Sequence, residues 1–187
     1  MDSSKLAIKF FLKDAAGTDV KAFVPVFHRW IQTHAMQEHQ LIDVADYKHV
    51  PEGPGTVLVS HEANLFIDEA EHRPGLLYVR KHTLDGDLAA KIGKTIHFAL
   101  LACKMLEQDE AFAGKVSFRT DNPLFRIYDR LNAPNTAETF AEVKPVLESA
   151  LAKFYKAPVK LAHTPNAETV FEAKVTASSS PGVAELI

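Results

Sequence analysis

The segment Ser60-His61-Glu62-Ala63-Asn64 holds the side chains best suited to chemistry, with a hydroxyl, an imidazole and a carboxylate interrupting two apolar runs. An imidazole titrates close to neutral pH, so His61, with Glu62 or Asp68 orienting it, could accept and return a proton. Two other arrangements are excluded by spacing. A zinc-protease helix needs a second histidine four residues after the first, and Leu65 stands there. Consecutive strand residues point to opposite faces, so Ser60 and His61 cannot bond side chain to side chain. Further along, Tyr78 and Arg80 fall on one face of a strand and offer a hydroxyl and a guanidinium to an anionic substrate. The plainer reading of Arg80 is a charge guarding a sheet edge. The candidates are therefore His61 and Glu62 for catalysis, and Asp68, Tyr78 and Arg80 for ligand binding.

Hairpin register decides what His61 meets. A two-residue loop Ala63-Asn64 would set it opposite Phe66 and diagonal to Asp68, but needs positive φ at both loop positions, which Ala63 resists. A three-residue loop Glu62-Ala63-Asn64 needs the left-handed region at Asn64 only. The longer loop is expected, with His61 opposite Leu65 at the open end of an apolar face.

Other constellations point to structure. Asp43, Asp46 and His49 recur every three residues but match no known ligand spacing, so turn and surface roles are expected and no metal. Cys103 lies on the apolar stripe of a long helix, away from any helix N-terminus, as a structural thiol would. Gly53-Pro54-Gly55 lacks the spacing and the following helix of a phosphate loop. No cofactor is expected.

The elements that must position these residues follow from periodicity. Leu6–Leu12 reads as a first strand and Asp14–Gly17 as a turn. Val20, Phe23, Val24, Phe27 and Ile31 mark a helix that Thr18 or Asp19 can cap, with Pro25 forcing a late start or a kink. Leu41–Ala45 is a short strand and 48–55 a loop. Thr56–His61, Leu65–Glu69 and Leu76–Lys81 form a meander. The longest helix runs from Leu88 to about Gln108, with an apolar arc wide enough for burial on more than one side and Gly93 in its middle. Lys115–Arg119 and Leu124–Leu131 read as strands. Asn135 and Glu138 resemble a capping box for a helix to about Tyr155, and strands follow at Val159–His163 and Thr169–Thr176.

This order predicts an α+β fold, a mostly antiparallel sheet with three main helices. A shift of 120 residues overlays the first strand on Phe125–Asn132 and Pro25-Val26 on Pro145-Val146. It suggests a ferredoxin-like core with a partial second strand-helix-strand-strand unit, at about 5–81 and 124–176 and joined by the helix at 87–108. Residues 1–177 would be a single domain and 178–187 a flexible tail, whose apolar end either frays or docks.

Composition agrees. The 187 residues carry 21 Lys and Arg against 24 Asp and Glu, a formal charge of −3, with 47% hydrophobic and 24% charged residues. These proportions are those of a folded domain. No basic stripe speaks for nucleic acid, and no apolar run for a membrane span. Lys9 and Lys13 interrupt the first apolar run, which argues against an export leader, and one cysteine fits a cytoplasmic location. The expectation is a protein that binds a small molecule or a second copy of itself, a homodimer sheltering exposed strand edges. An acid–base enzyme built on His61, acting on a small anionic substrate, is the alternative.

Overall fold

The computed structural model describes residues 5–15, 18–47, 49–50 and 53–187; parts of the expected Asp14–Gly17 turn and 48–55 loop lie outside the described residues. Eight strands make one antiparallel sheet: β1 (Leu6–Phe11), β2 (Leu41–Asp46), β3 (Thr56–Ser60), β4 (Ala63–Asp68), β5 (Gly75–Arg80), β6 (Leu124–Ile127), β7 (Val159–His163) and β8 (Phe171–Ala177). Their order across the sheet is β2-β3-β4-β5-β1-β6-β8-β7. Three helices, α1 (Phe23–Thr33), α2 (Leu88–Glu107) and α3 (Ala137–Tyr155), complete the α+β fold. The sheet is larger than a four-stranded ferredoxin-like one.

Alternation along the strands sorts side chains between two faces. In β1, Leu6, Ile8 and Phe10 join the core under the helices, while Ala7, Lys9 and Phe11 take the other side. Leu58 of β3, Ala63, Leu65 and Ile67 of β4, and Leu76 and Tyr78 of β5 extend the covered face. Helix α2 crosses β1 and β5, α1 lies on β2 and α3 on β7. Among the described residues, none of these three helices packs on the opposite face of the sheet.

Several expectations change in detail. Asp19 caps a short 3-10 turn at Val20–Ala22, and α1 starts at Phe23. Pro25 thus sits in the first turn, where a missing N–H breaks no helical bond. Thr136, not Asn135, caps α3 by accepting from Thr139 N, while the Asn135 side chain bonds His163 and Thr169 instead. Segment Lys115–Arg119 is not a strand: beside β1 it makes one isolated bridge, Leu12 to Phe118. Residues 178–187, expected to be a flexible tail, end in a 3-10 turn with Val183 and Leu186 buried in the core. Burying those two apolar side chains, with Thr120 Oγ1 donating to Pro181 O, offsets the ordering cost. The run β6-α3-β7-β8 repeats the element order of β1-α1-β2-β3. It differs in pairing, since β8 lies directly on β6 whereas β4 and β5 stand between β3 and β1.

Candidate functional site

On the open face, β1 and its neighbours set Lys9 and Phe11 beside Leu77 of β5, Phe66 and Asp68 of β4, and Arg126 of β6. Lys9 is only 2% exposed, and its Nζ donates to Asp68 Oδ2 at 2.7 Å. The other Asp68 oxygen accepts from Ala70 N at 3.1 Å. That bond anchors loop 69–74, which passes over this face through a 3-10 turn and stacks Arg73 on the Phe11 ring. The turn is made by Glu71 (φ 60) and His72 (φ 54), a left-handed conformation that costs each non-glycine residue about 1 kcal/mol. Gly75 ends the loop where a Cβ would lie 2.3 Å from Phe10 O, so only glycine lets β5 close on β1 there. Burial pulls the Lys9 pKa below 10.5, and the bonded Asp68 pulls the other way without cancelling it.

Beside this pair a hollow of about 570 Å³ opens. Phe66, Leu77 and Val79 supply its apolar lining, and Lys5, Arg126 and Tyr128 are among its polar borders. Arg126 Nε donates to Glu172 Oε2 at 2.7 Å. The arrangement can hold an apolar body with a polar or anionic end.

The residues expected to form a site are split by the sheet. Asp68 is on the open face, bonded to Lys9, while Tyr78 and Arg80 are on the covered face under α2. Tyr78 and Arg80 do meet: Arg80 Nη1 donates to Tyr78 Oη at 3.2 Å. His39, which the sequence did not single out, completes the chain with Nε2 at 2.8 Å from Tyr78 Oη. Its Nδ1 donates to Gln37 O at 3.3 Å, so Nε2 is left to accept the tyrosine proton. Burial pushes the Tyr78 pKa up to about 12 and lowers that of His39. Arg80 is 5% exposed with no partner at Nε, which corrects its reading as an edge charge, since β5 lies inside the sheet.

His61 is at a hairpin tip. The β3–β4 loop has two residues, His61-Glu62, in place of the expected Glu62-Ala63-Asn64, and Val59 faces Asn64. Neither loop residue has positive φ, so the turn avoids the conformation that Ala63 would have resisted. Ser60 Oγ accepts from Ala63 N and donates to Ala63 O, and Glu62 Oε2 accepts from Gln40 N, tying the tip to the chain leading into β2. This register buries Ala63 and Leu65. The His61 side chain is 62% exposed, stacked on His82 and 3.4 Å from Glu62 Oε1.

Spacing could not disclose the open-face cluster, because Lys9 and Asp68 are 59 residues apart. A visible signal existed: a lysine at the centre of the apolar run Leu6–Leu12 on a strand. The chain matches no protein-family model, no curated protein and no solved structure. Among the described residues no group of three or more metal-ligating side chains is gathered, and no helix is long and apolar enough to cross a membrane.

Proposed function

We propose that the chain binds a small, mainly apolar molecule in the hollow on the open face of its sheet. The observation that carries this reading is the hollow itself. Its volume, about 570 Å³, is typical of ligand sites, and it joins an apolar lining to a few polar groups at the border. The acid–base alternative has less support, because the His61 ring is exposed at a hairpin tip away from Asp68, while Glu62, near enough to His39 and Tyr78 to act on their charges, is held by the Gln40 N–H. Titration with 8-anilinonaphthalene-1-sulfonate, an aromatic anion that fluoresces in apolar surroundings, tests the reading. Saturable binding should weaken at least tenfold in Val79→Glu, which places a charge in the hollow. Equal binding by a folded Val79→Glu protein, or no saturation, would overturn it.

Self-association is a second reading, favoured by edge strand β2, where Ile42 is 54% exposed and one side of the strand has no neighbour in the sheet. Two copies joined there would form a homodimer, and light scattering at 20.7 kDa would refute it. The repeated β-α-β-β order supports reading 5–81 and 124–176 as two units of one domain, a ferredoxin-like core with a partial second copy. The single buried Cys103 suits a cytoplasmic protein.

A further inference from the structure

A second hollow, of about 380 Å³, adjoins the first. Asn135, Thr164, Asn166, Thr169 and Lys174 bring polar groups to its lining, alongside Ala162 and Val170. Arg126 lines both hollows, and consecutive loop residues border one each, Ala70 the apolar hollow and Glu71 the polar one. Arg126 is thus the junction. Its guanidinium has five N–H donors; Nε donates to Glu172 at 2.7 Å and the Tyr128 side chain takes a further bond, which leaves other N–H groups for another acceptor. Of the carboxylates lining the hollows, Asp68 is paired with the buried Lys9 and Glu172 with Arg126, which leaves Lys5 and Lys174 against Glu71, a balance that favours an anion.

We propose that the two hollows are one site for a single amphipathic anion. An apolar group fills the Phe66–Leu77–Val79 hollow, an anionic link lies at Arg126, and a hydroxyl- or amide-bearing head occupies the polar hollow. The order of these parts selects the chemistry. A carboxylate ends a molecule, whereas a phosphodiester carries its charge and continues on both sides. Arginine's planar fork matches phosphate oxygens in pairs. The ligand class is therefore an alkyl or aryl phosphodiester with a polar head, and this rests on the reading of the first hollow as a binding site.

Calorimetric titration with octanol, octyl phosphate and octylphosphoglycerol, each below its micelle concentration, separates the parts. Octyl phosphate should bind at least tenfold tighter than octanol, and octylphosphoglycerol severalfold tighter again. Arg126→Gln should erase the first step while octanol binding persists. Thr164→Val with Lys174→Met, both exposed positions, should erase the second step and provides a test even if Arg126→Gln fails to fold. Equal affinity for all three compounds would overturn the inference and leave the apolar hollow standing as a site. Failure of octanol itself to bind would instead remove the reading beneath it. Co-sedimentation with phosphatidylglycerol vesicles would identify a membrane lipid as the source of this chemistry, and probe binding without co-sedimentation a dissolved ligand.

Discussion

Lys9 on the open face and Arg80 on the covered face are almost equally buried, at 2% and 5% exposed, yet the protein treats the two cations differently. Lys9 has a carboxylate at 2.7 Å. Arg80 has a tyrosine hydroxyl, itself bonded to a histidine, and an Nε with no partner. Among the described residues no α-helix covers the open face, and its charge is closed off by an ion pair and by loop 69–74. The covered face lies under α2, and there the Arg80 cation begins a relay through Tyr78 and His39 that ends at Gln37 O. Burying a charge beside a counter-ion makes stability depend on that ion, whereas burying it at the end of a relay spreads the dependence over several weaker bonds.

The largest effect should come from breaking the ion pair. Asp68→Ala leaves the Lys9 ammonium buried without its carboxylate and should cost about 3–5 kcal/mol in urea unfolding. Replacing both partners, Lys9→Met with Asp68→Leu, should recover most of that loss, because no isolated charge remains. A double variant as unstable as Asp68→Ala would show that the pair is not what holds this region together.

This pair also marks where sequence reasoning stopped. Some elements were readable locally: α2 from its apolar arc, α3 from the capping pattern before it, β1 from the apolar run Leu6–Leu12, and the α+β class from the order of elements. Lys115–Arg119 resembled a strand, yet its place beside the end of β1 supports one bridge, a limit set by tertiary packing rather than by its residues. The His61 hairpin was misplaced because its turn is stabilised by Ser60 and by Glu62 reaching to Gln40, contacts that turn propensity does not encode. The meeting of Tyr78 with Arg80 was readable from strand alternation. That Asp68 lies on the other side of the sheet, against Lys9, required the register of β4 with β5 and of β5 with β1.

A smaller effect should follow from cutting the relay on the covered face. Tyr78→Phe removes the one group that bonds both His39 and Arg80 and should cost about 1–3 kcal/mol, since two buried polar groups then lose a partner. A loss as large as that of Asp68→Ala would erase the contrast between the faces. Acid tests the same relay. Burial holds the His39 pKa below its ordinary 6.5, with Arg80 lowering it further and the Gln37 carbonyl, Glu62 and Glu38 opposing. The unfolded chain therefore binds a proton at this position more readily than the folded one. The contribution of His39 to stability is complete above pH 6.5 and declines as pH falls toward the folded-state value. Urea unfolding between pH 7.5 and 5 should show that decline, and His39→Gln, which can still accept from Tyr78, should flatten it. An unchanged slope in the variant would take His39 out of the account.

The smallest effect concerns the layer that makes the two faces different. Gly93 lies within α2, and a Cβ added there would meet nothing within 4 Å. The close helix–sheet approach that could explain a glycine at this position is absent, which leaves its backbone freedom as a cost in the unfolded-to-folded balance. Gly93→Ala should raise stability by about 1 kcal/mol, read as a higher urea midpoint at unchanged slope. Because the substitution stiffens the covering helix and touches neither face of the sheet, binding of 8-anilinonaphthalene-1-sulfonate should not change. A variant that gained stability and lost the probe would mean that α2 adjusts the open face through the sheet, and the two sides would then have to be treated as one coupled layer.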